Sequence, residues 1–333
     1  SRTRPDAQAL TEMASIKLQR QDWQGAEKIA EALKAVEKDS GISSQIIGVA
    51  LSGQNRFHES IEVLSSAQSA EPDDAGRLLA LVRTYLASGK TAEAEAFLDN
   101  VIQANPDNLE AQVLRAMVKS NDPARLAEAE AEFTKVIEQA PDSEVGYRAL
   151  AGFYVRQKRP DDAEAVVSGA LEKLPDNIPL GLLMASLLEN KSEFEQAIAI
   201  YEKLYDLQPQ SQIIANNLAS LLSDHRDDEA SLNRAFRLAS RLKSSEIAYF
   251  KDTLAWVHFR RGDTAVALDL LEDAVEALPE MPVIRYHLAQ VLLKDGRNES
   301  ARQEFQKALE LDESGSLAFR AEAESALAKL KAQ

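Results

Sequence analysis

Six prolines recur along the chain at a nearly constant interval. Pro72, Pro106, Pro141, Pro175, Pro209 and Pro279 stand 34, 35, 34, 34 and 70 residues apart, the last gap being two periods with two residues added. A period of this length restricts the chain to repeat arrays, in which each unit buries its apolar face only by stacking on a neighbour. Most of these prolines precede a helix-starting polar residue, as in "NPDN" from Asn105, "APDS" from Ala140 and "LPDN" from Leu174. Proline lacks the amide that would continue one helix, and Asp, Asn or Ser caps the next, so each proline marks a unit boundary.

Two further registers share the period. Small residues recur at Ala14, Gly48, Val82, Ala116, Ala151, Ala185, Ala219, Ala255 and Ala289, usually after a large one such as Met13, Ile47, Leu81, Leu150, Met184, Leu218, Leu254 or Leu288. Three or four residues on come Leu51, Tyr85, Tyr154, Leu188, Leu222, His258 and Leu292, which completes one apolar face at helical spacing. Gly89, Gly262 and Gly296 then suit a left-handed helix end. The second register runs through Ala26, Ser60, Ala94, Ala129, Ala163, Ala197, Ala235, Ala267 and Ala301, with Leu64, Leu98, Phe133, Val167, Tyr201, Leu271 or Phe305 four residues later. A small residue lets two helices approach and a large one fills the adjoining groove, so each period is an antiparallel helix pair.

This pattern resembles the tetratricopeptide repeat (TPR) family. Nine repeats are read, at 7–40, 41–74, 75–108, 109–143, 144–177, 178–211, 212–247, 248–281 and 282–315, with a closing helix in 316–333, the whole of 1–333 forming a single array. The fourth repeat has one extra residue and the seventh two, which fit the turns around "SNDPAR" at 120 and "DHRDDEA" at 224. The family's first-helix tryptophan is absent from most repeats, and no proline closes the first, seventh or ninth. The resemblance implies an all-α, right-handed α-α superhelix whose first helices line a concave groove for a peptide or partner helix.

Composition agrees with a folded helical chain: 45% hydrophobic and 28% charged residues, with 13 Gly and 11 Pro. A net charge of -16 argues against nucleic acid, and no apolar stretch is long enough to span a bilayer. The absence of cysteine excludes disulfides and thiolate chemistry but leaves the compartment open. "SRTRPDAQAL" begins without an initiator Met, so the sequence is expected to be a fragment of a longer bacterial protein.

The stretches that look chemical fit the repeat instead. In "DTLAWVHFRRGD" (252–263), His258 shares the column of Tyr85 and is expected to pack inside. Gly89-Lys90-Thr91 lacks the earlier glycine and the strand of a phosphate loop and recurs as the helix–helix turn of "RRGDTAVA". The cluster Asp224, His225, Asp227, Asp228 and Glu229 has no regular ligand spacing, and the four histidines lie in separate repeats, so neither metal nor cofactor is implied. No nucleophile–base arrangement points to an enzyme.

On the resemblance, the groove is lined by Arg83, Arg148, Asn216, Asn217, Asp252, Trp256, Tyr286 and Gln290, with Val113, Gly152 and Ser220 between them. Arg83 and Arg148 suit a carboxylate, while Trp256 and Tyr286 suit an apolar or sugar-like surface. The Lys, Asn and Arg clamp of chaperone-binding TPR proteins has no counterpart here. The last hundred residues resemble bacterial cell-envelope TPR proteins of exopolysaccharide and exosortase (PEP-CTERM) systems. The expectation is therefore a non-catalytic protein-binding scaffold in envelope or exopolysaccharide assembly, meeting polysaccharide-secretion machinery in the periplasm or cell envelope. The alternatives are a direct polysaccharide-binding module, or a cytoplasmic adaptor or regulatory portion of a larger enzyme.

Overall fold

A computed structural model describes residues 6–37, 41–70, 74–245, 247–312, 315 and 319–331. Pro72, the ends of the first and ninth repeats, and residues 316–318 and 332–333 of the expected closing helix lie outside them. The described residues contain helices and no strand. Two compact units, 1–175 and 176–333, divide the chain.

The first unit holds α1 (Ala7–Gln19), α2 (Trp23–Val36), α3 (Gly41–Gly53), α4 (Phe57–Ala70), α5 (Ala75–Ala87), α6 (Thr91–Ala104), α7 (Leu109–Lys119), α8 (Leu126–Gln139), α9 (Glu144–Arg156) and α10 (Pro160–Lys173). The second holds α11 (Ile178–Asn190), α12 (Phe194–Leu207), α13 (Gln212–His225), α14 (Glu229–Ser240), α15 (Ala248–Arg260), α16 (Thr264–Ala277), α17 (Pro282–Lys294), α18 (Asn298–Leu311) and α19 (Arg320–Lys331). Within each unit, every second helix packs between its own first helix and the next one, so each unit is an α-α solenoid.

The periodic polar residues do cap helices: Asn108 accepts from the Ala111 amide at 2.9 Å, Asn177 from Leu180 at 3.0 Å, and Ser143 and Ser211 act likewise. In seven of the nine pairs the turn places one residue in the left-handed region; the turns of the fourth and seventh pairs do not. Gly89, Gly262 and Gly296 supply it at φ of 73°, 93° and 80°, whereas Gln21, Asn55, Lys158 and Ser192 occupy it at a steric cost.

The small-residue columns are where helices meet most closely. Ala14, Ala116, Ala151, Ala185, Ala219, Ala255 and Ala289 are fully buried, as are Ala26, Ala94, Ala129, Ala163, Ala197, Ala235, Ala267 and Ala301. At Gly48 even a methyl group would lie 2.4 Å from Leu64 Cγ. Ser60 fills its column by donating to the Gly48 carbonyl at 2.7 Å and meeting Thr84 at 3.2 Å. Leu64, Leu98, Phe133, Val167, Leu271 and Phe305 are fully buried against these columns.

The extra residue of the fourth repeat lies in the turn, as a short 3-10 segment at Pro123–Arg125. The seventh repeat departs further from expectation. Relative to Ala235, α14 begins about a turn earlier than α12 does relative to Ala197, and it stops about a turn sooner, leaving a connection from Arg241 to α15 in which Leu242 is buried. With no proline to set the boundary, the helix pair has slid rather than gained two residues in one turn.

Candidate functional site

The packing order leaves one face of each first helix uncovered. Successive first helices touch each other along α1, α3, α5, α7 and α9 in the first unit and along α13, α15 and α17 in the second, while second helices make no comparable contact with one another among the described residues. First helices therefore form an inner layer that runs unbroken from α1 to α9 in the first unit and from α13 to α17 in the second, and a side chain on it that points away from the second helices is available to a partner.

In the first unit, this face carries Arg83 on α5 and Arg148 on α9, both exposed as expected and neither in an ion pair among the described residues. Arg156 lies two turns beyond Arg148, with its guanidinium reaching back over Gly152: a methyl group at Gly152 would lie 3.6 Å from it. Burial lowers the Arg156 pKa, and no acid compensates. Leu79 and Val113, in the repeat column of Arg148, and Met117, in that of Arg83, are half-buried.

In the second unit, the residues of the inner face form two hydrogen-bonded groups. Asn217 donates to the Tyr201 hydroxyl at 3.1 Å, which donates to Glu189 at 2.9 Å. Burial raises the Glu189 pKa, against the Tyr201 bond and with help from the Asp224 charge, and burial together with Glu189 raises that of Tyr201. Asn216 donates to Asn217 at 3.4 Å.

The second group centres on His287, which the sequence presents only as a candidate metal ligand. Its Nδ1 lies 2.8 Å from Asp252 and its ring stacks on Trp256 at 4.2 Å and 18°. Burial by itself lowers the His287 pKa, but the charge and hydrogen bond of Asp252, with the Asp224 charge, outweigh it, so the net shift is upward. Trp256 thus packs on an imidazole held toward its cationic form. Asp252, expected on the groove surface, is only 5% exposed because α17 packs against α15 and delivers His287 onto it. Tyr286 is likewise buried, at 6%: its hydroxyl donates to Glu322 on α19, accepts from Gln290 at 2.8 Å, and its ring stacks on Phe319 at 4.5 Å. Both residues join neighbouring helices rather than facing a partner.

Gln290 does reach the surface, where it and Leu293 face Ala321, Glu322, Ser325, Ala326, Lys329 and Leu330 across an open cleft of about 520 Å³. That cleft depends on how α19 leans on α17 and has no sequence signature.

The other candidates resolve into structure. His258 meets Asp263 at 3.1 Å and stands edge-on to Phe236. His225 stacks on Phe194 at 3.6 Å, Asp228 caps α14, and Asp227 holds Arg260, so the acidic loop does not converge on one point. Among the described residues no group of three or more His, Cys, Asp or Glu is arranged to hold a metal. Gly89-Lys90-Thr91 is the turn between α5 and α6.

Tetratricopeptide repeat profiles match residues 51–118, 123–187, 182–211 and 253–316, and these matches take in most of the helix pairs just described. The chain belongs to the tetratricopeptide repeat family. It is similar to cellulose synthase operon protein C of Pseudomonas fluorescens (strain SBW25), at 25% identity over 308 residues, or 85% of this chain and 24% of that one. It is also similar to the human protein O-mannosyl-transferase TMTC3, at 22% identity over 61% of this chain and 24% of that one. The chain thus spans about a quarter of the length of these relatives. Among solved structures, the APC/C hetero-tetramer Cut9-Hcn1 matches with a TM-score of 0.54 at 13% identity, over 92% of this chain and 59% of that one, which supports the TPR fold. The tetratricopeptide repeat fold suggests binding of a protein or peptide partner. Among the described residues no helix is long and apolar enough to cross a membrane.

Proposed function

We propose that this TPR chain is a non-catalytic scaffold that takes a peptide segment or partner helix on the first-helix layer of its units. The observation that supports this reading is that layer itself: consecutive first helices touch from α1 to α9 and from α13 to α17, and Arg83 and Arg148 stand on it without counter-charges among the described residues. Peptide selection by phage display on the immobilised chain tests it. A binding motif is expected to emerge whose affinity falls at least tenfold with Arg83→Glu and Arg148→Glu, or with Trp256→Ala, and stays unchanged with Glu272→Lys on the second helix α16. Failure to enrich any peptide overturns the reading.

In the same proposal the scaffold serves assembly or export of an extracellular polymer at a bacterial cell envelope. The likeness to cellulose synthase operon protein C supports this role. Removing the gene should abolish polymer outside the cell while polymer synthesis by isolated membranes continues; unchanged secretion overturns it. A sugar-binding role gains nothing from Trp256, one face of which is taken up by His287.

A further inference from the structure

Charge is sorted by layer in the first unit. Of the first helices, α1 carries Glu12, α3 and α5 contain no acidic residue, and α7 and α9 contain only Glu110 and Glu144, both in the first turn, where a carboxylate complements the helix N-terminus. The second helices carry the acids instead: Glu59 and Glu62 on α4, Glu93, Glu95 and Asp99 on α6, four glutamates on α8, and Asp161, Asp162, Glu164 and Glu172 on α10.

Pairing follows the same division. Arg56 is bound by Glu27 and Glu59, Arg125 by Glu95, and Arg159 by Glu130 and Asp162, all at turns beside the acidic layer. Arg115 at the edge of α7 reaches Asp99 and Glu132. Arg83, Arg148 and Arg156 have no such partner among the described residues, although the chain has 54 acidic residues against 38 basic ones. The shortage is local. The acids of the first helices are few, Glu12 on α1 and Glu110 and Glu144 in the first turns of α7 and α9, and none of them pairs with these three arginines among the described residues.

We propose that the inner face of the first unit recognises a polypeptide segment rich in Asp and Glu, whose carboxylates meet Arg83, Arg148 and Arg156 and whose aliphatic side chains meet Leu79, Val113 and Met117. Guanidinium groups bind carboxylates through two parallel hydrogen bonds, which gives orientation as well as attraction. Gly152, between Arg148 and Arg156, adds no side chain of its own to the face, and the Arg156 guanidinium reaches over it. The chemistry of Leu79, Val113 and Met117 selects the occupant. It is aliphatic, which suits Leu, Ile or Val of a peptide, and the tyrosines of α5 and α9 are engaged elsewhere: Tyr85 is half-buried against Phe97, and Tyr147 and Tyr154 are buried and tied to the Pro141 carbonyl and to Glu130. Screening over roughly 8 Å at physiological salt weakens the repulsion from the acidic outer layer. This inference rests on the scaffold reading and adds the chemistry of the partner.

Fluorescence anisotropy with labelled fifteen-residue peptides and the full chain tests it. Three peptides share a Leu and Val pattern, with Asp and Glu, with Asn and Gln, or with Lys and Arg at the intervening positions. The acidic peptide should bind, weaken as salt is raised, and lose about a hundredfold in affinity when Arg83, Arg148 and Arg156 are changed together to Gln. The corresponding Glu variant, checked by circular dichroism, should bind the basic peptide instead. Equal or tighter binding of the neutral or basic peptide to the unchanged chain, or unchanged affinity in the Gln variant, overturns the inference while leaving the scaffold reading in place. Tighter binding of an oligouronate or of duplex DNA than of the acidic peptide overturns the choice of a polypeptide. Binding of none of the peptides, with none recovered from a random library, removes both readings.

Discussion

Gly48 and Gly169 both lie inside helices, and replacing each by alanine should move stability in opposite directions. In an open helix interior the change is favourable by about 1 kcal/mol, because glycine loses more backbone freedom on folding than alanine does. Gly169 on α10 is such a site, since an added methyl group meets nothing within 4 Å. Gly48 is not. The same methyl group would lie 2.4 Å from Leu64 Cγ, 2.5 Å from Cδ2 and 2.9 Å from Cδ1, all well inside contact distance. The nearest atom is the branch point of a fully buried side chain, so Leu64 cannot swing clear without displacing α4 from α3. Overpacking of this kind costs about 1–3 kcal/mol, and after the helical gain a net loss of roughly 1 kcal/mol remains. The variants should thus differ by about 2 kcal/mol. The chain has two tryptophans, Trp23 in the first unit and Trp256 in the second, so a Trp256→Phe background reports the first unit alone. Urea titration of Trp23 emission should move the midpoint down for Gly48→Ala and up for Gly169→Ala, each by roughly 0.5 M at ordinary m-values. Leu64→Val should partly restore Gly48→Ala. If Gly48→Ala stabilises the unit as much as Gly169→Ala does, the close approach of α3 and α4 is not real, and with it the account of the small-residue columns fails.

Further outcomes follow from single residues. Phe133, fully buried and 5.5 Å from the Phe153 ring, should cost about 3–5 kcal/mol when cut to alanine, read by the same titration; a loss below about 1 kcal/mol would mean that this part of the core is loosely packed. Lys158→Gly should raise stability by about 1 kcal/mol, because Lys158 sits at φ 56° where glycine bears no penalty, and a neutral effect would show the turn to be relaxed. His287 has its pKa raised in the folded state, so its contribution to stability is complete below about pH 6.5, the unfolded value, and is lost as pH rises through the higher folded value. In a Trp23→Phe background the urea midpoint seen by Trp256 should fall over that range, and His287→Gln or Asp252→Asn should remove the fall; persistence of the fall in both variants would refute the pair's role.

Much of the fold is legible in the sequence because a repeat exposes its packing rules many times over. The columns from Ala14 to Ala289 and from Ala26 to Ala301 can be read without coordinates, since only a small residue tolerates a helix axis so near, and proline with Asn or Ser sets the boundaries. The seventh repeat escapes that reading for a related reason: where the proline is missing, nothing in the sequence fixes the phase of α14, and tertiary packing decides it. The exposure of Arg83 and Arg148 is legible because it follows from helix phase alone. Exposure is not legible at Asp252 and Tyr286, because their burial depends on what the next first helix and α19 bring to them. His287 gives a usable signal, one repeat beyond Asp252 and in the neighbouring column, but weighing the histidines only as metal ligands conceals its buried pairing with Asp252.

Photo-crosslinking with one peptide obtained by selection bears most directly on the claim that first-helix layers receive the partner. A photoreactive phenylalanine analogue placed in turn at Arg83, Arg148 and Ser186 on first helices, and at Glu138, Asp269 and Glu272 on second helices, would map contact residue by residue. The account predicts peptide adducts from first-helix positions and none from the outer ones. Adducts confined to the second helices would contradict it.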